Sequence, residues 1–278
     1  MGHPSGHPPS GEKQQGAGRG MSGSMRTLGL ALRQSGSEAS RPAVSIVVPT
    51  YREVRTVPQL IERIERVARD GALSVELLIV DDDSRDGTVE LVESMGRPWV
   101  RLLVRRGGRD LSQAVVEGLR QARHDLLVVM DADLSHPPEA IPRMLEALAG
   151  GHDFVVGSRY VDGGGTDEAW TLWRALNSRA AKLLARPFTA IADPMSGFFC
   201  LHRETFSRAA PLRPIGYKIG LELLVKCHCR SVQEIPILFA TRRLGRSKLS
   251  LREQIKYVRH VWRLLLYAYR SRQHPPLV

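Results

Sequence analysis

Asp131 and Asp133 stand one residue apart at the end of the apolar run Leu126–Met130, and the chain continues through Leu134-Ser135-His136-Pro137-Pro138-Glu139. Five apolar residues in succession read as a strand buried on both faces. Carboxylates at the carboxyl end of such a strand point into the crevice where open α/β sheets take their ligands. Two acids with a single-residue spacer can hold a hard divalent cation beside a phosphate, because Mg²⁺ typically keeps one or two protein carboxylates. The plain alternative is a solvated turn that carries two acids and no metal. Pro137-Pro138 suit the start of a following helix.

Three more apolar runs end in polar residues. The first ends at Pro49-Thr50-Tyr51-Arg52-Glu53, the second at Asp81-Asp82-Asp83-Ser84, and another at Gly157-Ser158-Arg159. In a parallel sheet these ends lie along one edge, which makes them a candidate site. Tyr51 offers a flat face for a base, and Glu53 an acceptor. Asp82 could hydrogen-bond a base or a ribose. Asp131 and Asp133 would hold Mg²⁺ or Mn²⁺ against a diphosphate and neutralise charge on a leaving group. Arg159 would bind a phosphate, since a guanidinium pairs with its oxygens in a bidentate fork; a surface ion pair is the alternative. No G-x-G-x-x-G follows the first strand and no G-x-x-x-x-G-K-[ST] occurs. Both absences count against a Gly-rich phosphate cradle.

The elements that must position these residues alternate. Val44–Val48, Val75–Val80, Val100–Val104, Leu126–Met130 and Phe154–Val156 read as strands. Pro58–Arg69, Thr88–Met95 with Asp86 available as a cap, Leu111–Ala122 and Pro138–Ala149 read as the helices between them. This order predicts an α/β fold, a mostly parallel sheet with helices on both faces. Beyond Tyr160 come a Gly-rich loop (Gly163-Gly164-Gly165), a helix near Ala169–Ala185, and a turn Asp193-Pro194-Met195-Ser196-Gly197. A strand Phe198–Leu201, a helix Ile219–His228 and a strand Val232–Ala240 follow. The last element is an amphipathic helix, Leu251–Tyr269. It has Leu251, Ile255, Val258, Trp262, Leu265 and Tyr269 on one side and Arg252, Lys256, Arg259, Arg263 and Arg270 on the other.

The chain of 278 residues divides into a tail (1–40), an α/β domain (41–250) and a basic C-terminal helix (251–278). The tail is rich in Gly, Ser, Pro and His and is expected to be disordered. No signal-peptide pattern and no run of 18 apolar residues is expected to take the chain through a membrane. Cys200, Cys227 and Cys229 are an odd set at no disulfide-like spacing, which fits a reducing compartment. Cys227-His228-Cys229 reads as part of a helix rather than a metal fragment, since i and i+2 do not face each other there. Net charge is +11, and residues 241–278 hold ten Lys/Arg against the single acid Glu253. That end suggests an anionic partner: lipid headgroups, a phosphorylated substrate or nucleic acid.

Taken in order, the motifs resemble a known family. Ser45-Ile46-Val47-Val48-Pro49-Thr50-Tyr51-x-Glu53, Asp81-Asp82-x-Ser84-x-Asp86-Gly87-Thr88 and Asp131-Ala132-Asp133-Leu134-x-His136-Pro137-Pro138-Glu139 are similar to those of family 2 glycosyltransferases, which have a Rossmann-like GT-A fold. Gly157-Ser158-Arg159-Tyr160, Ser196-Gly197-Phe198 and Arg242-x-x-Gly245-x-Ser247-Lys248 narrow the resemblance to the dolichol- or polyprenol-phosphate mannose synthases, over residues 43–250. The resemblance implies transfer of mannose from GDP-mannose to a polyprenyl phosphate, with inversion. It places Pro49, Tyr51, Glu53, Val80 and Asp82 on the nucleotide sugar, and Asp131, Ala132 and Asp133 on the metal and diphosphate. Arg242 and Lys248 fall in a basic loop that closes over the donor, and Arg159, Arg174 and Ser178 near the acceptor phosphate. Ser135 stands where relatives often carry Gln or Met near the metal, and is a candidate ligand. Arg52 stands where they often carry Asn.

Two further expectations concern the acceptor. Relatives that glycosylate a hydroxyl carry a general base, often the Asp of a Glu-Asp pair. The corresponding stretch here, Gly220-Leu221-Glu222-Leu223, has no such pair. A phosphate monoester needs none, because its second pKa is about 6. The basic terminal helix fits peripheral contact with the cytoplasmic face of a membrane, or else packs its apolar side on the domain. A separate membrane-spanning partner would serve too, as the resemblance implies for members without spans. The competing functions are a polyprenyl-phosphate glucose or other hexose synthase and, remotely, a basic nucleic-acid-binding protein. The latter leaves the polar strand tips unexplained, so no nucleic acid is expected as a partner.

Overall fold

The computed structural model describes residues 41–167, 180–213, 215, 218–240 and 251–273. Up to the fifth strand the predicted alternation is present, with most boundaries shifted by one to three residues. The order is β1 (Ala43–Thr50), α1 (Val57–Asp70), β2 (Ser74–Asp81), α2 (Thr88–Ser94), β3 (Val100–Val104), α3 (Leu111–Gln121) and β4 (Leu126–Val129). A single 3-10 turn, Pro138–Ala140, runs into α4 (Ile141–Ala149), followed by β5 (Phe154–Ser158). The second half holds β6 (Gly165–Thr166), helical residues 180–185, β7 (Phe199–His202), α5 (Arg203–Ser207) and α6 (Ile219–Lys226). It ends with β8 (Val232–Pro236), β9 (Leu238–Phe239) and α7 (Leu251–Gln273). The expected disordered tail, most of the helix expected at 169–185 and the basic loop 241–250 lie outside the described residues.

The main sheet runs in the order β3-β2-β1-β4-β7-β5-β8. All its pairings are parallel except those of β7, which is antiparallel to both β4 and β5. Strand order reverses between β2-β1 and β1-β4, and the crevice at such a switch point is where doubly wound sheets bind ligands. The carboxyl ends of β1, β2, β4 and β5 therefore share one edge, together with the start of β7.

Strict alternation along β1 divides the core between the two faces. Val44, Ile46 and Val48 pack with α1 and α4 on one side, where Leu77, Ile79, Val128 and Met130 join them. Val47 packs with Leu78, Val80, Leu127 and Val129 against α3 and α6 on the other. Both faces are covered, which is why these strands read as unbroken apolar runs. α3 comes closest to the sheet at Gly118, where an added Cβ would overlap Val47 and touch Val80 at 3.0 Å. Gly118→Ala is therefore expected to destabilise the fold by about 1–3 kcal/mol through overpacking, although alanine is the better helix former. Urea unfolding measures this, and a variant as stable as the parent would contradict the close approach.

Three expectations are corrected. The strand expected over Val232–Ala240 is two: β8 joins the main sheet, and β9 pairs with β6 in a separate two-stranded sheet. Pro236, with no N–H to give a ladder, stands at the break. The helix expected to reach His228 stops at Lys226, and His228 turns left-handed with φ 54°. Cys227 and Cys229 thus lie past the helix end, and all three cysteines are free.

The third correction concerns α7. The face it docks on the domain is Tyr257, Val261 and Leu264, packed with Ala185 and Leu221 and anchored by the Tyr257 hydroxyl, which donates to Ala181 O at 2.9 Å. The stripe expected to be its apolar side is largely exposed: Ile255 62%, Val258 54%, Trp262 62% and Tyr269 63%. The helix carries two apolar stripes, and the domain takes the one that the sequence reading did not single out. Among the described residues, no helix is long and apolar enough to cross a membrane.

Candidate functional site

The switch point opens into a cleft lined by Pro49, Thr50, Tyr51, Glu53, Asp82, Arg109, Leu111, Asp131, Ala132 and Asp133. Residues from the tips of β1, β2 and β4 thus meet in one place, as their shared edge requires. Arg109 comes from the connection between β3 and α3, and Leu111 is the first residue of α3.

The Asp131–Ser135 turn is held from three sides. His136 is 2% exposed and accepts the Asp131 N–H at Nδ1, 3.0 Å away. Burial lowers its pKa, with the Asp131 and Asp133 carboxylates opposing. The ring is therefore neutral, with Nδ1 as acceptor. It stacks on Phe198 and meets Phe239 edge-on, with centroids 5.3 and 5.4 Å apart. Leu134 sits at φ 63°, a region that costs a leucine strain. Both the N–H and the hydroxyl of Ser135 donate to Asp133 Oδ1.

Ser135 is completely buried and is not part of the cleft lining. Its short side chain, after a left-handed residue, turns back on Asp133 and fixes that carboxylate. Two carboxylates in one cleft, one of them locked, suit a hard cation that takes its other ligands from phosphate and water. Among the described residues, no group of three or more His, Cys, Asp or Glu side chains could hold a metal by itself.

The tips of β1 and β2 are stapled together. The Thr50 hydroxyl donates to Asp81 Oδ2 at 2.8 Å, and Ser84 donates its N–H and hydroxyl to the two Asp81 oxygens. Arg52 N donates to Ser84 Oγ and Val54 N to Asp86 Oδ2. Asp86 also takes the Thr88 N–H at the start of α2, although the N-cap position itself is Gly87, one residue later than the cap expected. Asp82 is bonded to Arg105 through Oδ1 and accepts the Asp110 N–H at Oδ2, 2.8 Å away. Burial raises its pKa, although both bonds and the Arg105 charge oppose this. Tyr51 presents its ring to the cleft with the Arg109 guanidinium 4.1 Å from its centroid.

Arg159, at the tip of β5, gives one edge of its fork to Asp193. Nε donates to Oδ2 at 2.7 Å and Nη2 to Oδ1 at 2.8 Å, and the Arg159 N–H adds a third bond at 3.2 Å. Asp193 is completely buried. It is placed by Glu234, which accepts the N–H groups of Ala192 and Asp193 at 2.6 and 3.0 Å. The guanidinium also lies 5.1 Å from the Phe239 ring centre. The ion pair foreseen as an alternative for Arg159 is thus present, but buried rather than on the surface.

Of the expected site residues, Pro49, Tyr51, Glu53, Asp82, Asp131, Ala132 and Asp133 line the cleft. Val80 does not: its side chain is buried in the core facing α3, because its position in β2 points that way. Arg174, Ser178, Arg242 and Lys248 lie outside the described residues. Arg105, Arg109, Leu111, Asp193 and Glu234 did not emerge from the sequence. Arg109 and Asp110 sit in a Gly-Gly-Arg-Asp stretch beside a helix cap, and that is the one local signal they offered. Glu222 is 1% exposed and accepts from Lys226 Nζ at 2.6 Å and from Arg213 N at 2.9 Å. It is a buried structural pair and no part of the cleft.

Comparison with known proteins agrees with this geometry. Residues 45–208 match the family described as glycosyl transferase family 2. The chain is 41% identical over 243 residues to a dolichol-phosphate mannosyltransferase of Mycosarcoma maydis, covering 84% of this chain and 82% of that one. It is 40% identical over 227 residues to the Pyrococcus furiosus protein of the same name, covering 80% of this chain and 63% of that one. For the Saccharomyces cerevisiae protein of that name the identity is 38% over 235 residues, with 81% and 88% covered. Among solved structures, glucosyl-3-phosphoglycerate synthase from Mycobacterium tuberculosis, in complex with Mn²⁺, UDP and phosphoglyceric acid, superposes with a TM-score of 0.62 at 21% identity. That match covers 83% of this chain and 79% of that one, and shares the fold.

Proposed function

The chain belongs to glycosyl transferase family 2, and we propose that it moves mannose from GDP-mannose to a dolichyl or other polyprenyl monophosphate. The observation that carries this reading is the meeting of Tyr51, Asp82, Asp131 and Asp133 in one cleft at the switch point, in a chain about 40% identical to dolichol-phosphate mannosyltransferases. The base lies toward Tyr51, and Glu53 and Asp82 are its acidic neighbours. Asp131 and Asp133 would hold a Mg²⁺ or Mn²⁺ ion, which supplies charge neutralisation at the departing diphosphate when bound. His136 and Ser135 keep the two carboxylates in place for that task.

A phosphate oxygen of the acceptor attacks the anomeric carbon from the face opposite the diphosphate. The bond from that carbon to the diphosphate oxygen breaks with its electron pair, and configuration inverts. No proton has to be removed from a dianionic phosphate, so the burial of Glu222 costs the reaction nothing. Arg159, fixed by Asp193, serves the acceptor phosphate together with Arg174 and Ser178, and Arg242 and Lys248 serve the donor in this proposal.

The test is transfer from radiolabelled GDP-mannose to a short polyprenyl phosphate, with UDP-glucose and UDP-N-acetylglucosamine as parallel donors. A lipid product from GDP-mannose is expected. Product from UDP-glucose alone would replace this reading with a hexose synthase of another donor.

Contact with the cytoplasmic face of a membrane through α7 belongs to the same proposal. Ile255, Val258, Trp262 and Tyr269 form an exposed apolar stripe, and Lys256, Arg259, Arg263 and Arg270 lie to one side of it by helical spacing. Such a helix lies in the headgroup region, and each cation near an anionic surface adds about 1 kcal/mol. A double Ile255→Glu, Trp262→Glu variant is expected to bind phosphatidylserine-containing vesicles at least about tenfold more weakly, since each apolar side chain contributes about 1.5–3 kcal/mol on full burial. Sedimentation with vesicles reads this. Unchanged binding would place the contact elsewhere, in another surface or in a membrane-spanning partner.

A further inference from the structure

We infer that Arg109 reads the base of the donor and sets a preference for guanine over uracil, an inference that rests on the nucleotide-sugar reading of the cleft. The loop 105–110 is pinned at both ends. At one end Arg105 N donates to Asp81 O at 2.7 Å and its guanidinium is bonded to Asp82. At the other, Asp110 N donates to Asp82 Oδ2, while Asp110 Oδ1 caps α3 by accepting from Gln113 N at 3.1 Å. Between these anchors Gly107 and Gly108, the latter at φ 92°, have nothing within 4 Å of where a Cβ would stand. The pinned loop delivers Arg109 over Tyr51, 4.1 Å from the ring centroid and on the cleft wall.

Chemistry then selects among bases. Both oxygens of Asp82 already take bonds from the loop, so its first task is to hold the loop that carries Arg109. A guanidinium is planar and carries its N–H donors in a fixed fork, so one anchored over an aromatic ring offers that fork in few directions. Guanine offers two adjacent acceptors, O6 and N7, which match that fork; adenine sets a donor beside its N7. Uracil presents one carbonyl on the corresponding edge with a C–H beside it. The fork that Arg109 holds over Tyr51 therefore gives guanine two bonds and uracil one.

The experiment measures GDP and UDP affinity by calorimetry with Mn²⁺ present, using the full chain and the variants Arg109→Ala, Arg109→Lys and Arg106→Ala. The parent is expected to prefer GDP. Arg109→Ala should reduce that preference roughly tenfold or more, the scale of one bidentate arginine–guanine contact, with UDP affinity little changed. Arg109→Lys, which keeps the charge and lacks the fork, should lose it as well, and exposed Arg106→Ala should retain it. Thermal unfolding checks that each variant is folded. An unchanged GDP-to-UDP ratio in Arg109→Ala overturns the inference, as does an equal loss for both nucleotides or a full preference retained by lysine. A parent that prefers UDP overturns both this and the donor assignment. Guanine preference lost in Arg109→Ala, in a chain that makes no mannolipid, would uphold Arg109 and sink the proposed reaction.

Discussion

Asp133→Ala is expected to bring mannosyl transfer to background, a loss of at least roughly a hundredfold, the scale set by removing one preorganised electrostatic group. Asp133 is 6% exposed, yet it forms part of the cleft wall. Its Oδ1 is fixed by two bonds from Ser135, which leaves the carboxylate one orientation. Ser135→Ala removes one of those bonds without touching the cleft. It should lower apparent metal affinity by about 10–100-fold, as loss of an outer partner of a metal ligand does, with the maximal rate at saturating metal largely kept. A titration of transfer rate against Mn²⁺ separates the two. Asp133→Ala that retained parental rate and metal dependence would remove the carboxylate from the reaction. Ser135→Ala with an unchanged metal midpoint would make its bond incidental.

The second large effect is structural in origin. Asp193→Ala leaves the Arg159 guanidinium, whose side chain is 13% exposed, without its bidentate partner. Removing one member of a buried, hydrogen-bonded pair costs about 3–5 kcal/mol. For a domain of this size that is a fall in Tm on the order of 10 °C. It should also free the Arg159 head from the direction that Glu234 and Asp193 impose, so KM for the polyprenyl phosphate should rise with little change in KM for the donor. Asp193→Asn, which keeps the shape and loses the charge, should fall between parent and alanine in stability. Tm values of both variants within about a degree of the parent would show that the pair is energetically idle. A rise in donor KM alone would move Arg159 away from the acceptor.

The first half of the fold was legible because its signals are local. The runs in β1, β2 and β4 are apolar on both faces, and Asp86 marks the start of α2 to within a residue. The tips were legible for the same reason: Tyr51, Asp82, Asp131 and Asp133 each follow directly on a readable strand. What failed depended on partners distant in sequence. Four residues, Phe199–His202, carry no mark of strand direction, so the antiparallel insertion was hidden. Val80 is fixed by the register of β2 against α3, and periodicity gives the register only once the packing faces are known. Asp193 reads as a turn residue until Arg159, 34 positions earlier, is seen to hold it. On α7 the apolar arc is wide enough for two faces, and helical spacing alone cannot say which one the domain will take.

The reversed strand β7 sets a boundary condition on the chain between β5 and β7. Because it runs against β4 and β5, the chain leaves the sheet after Ser158 and returns to it at Phe199 on the same edge. Everything between is a closed detour whose two ends are neighbours: Gly157 N donates to Phe198 O at 2.9 Å, and Ser196 Oγ donates to Gly157 O at 2.7 Å. Such a detour can change in length without disturbing strand order, because loop-closure entropy changes only slowly with length. The detour is nevertheless tied down at separate points, by β6 on β9, by Asp193 on Arg159 and by Phe198 on His136, so a change of length is tolerated only between those ties.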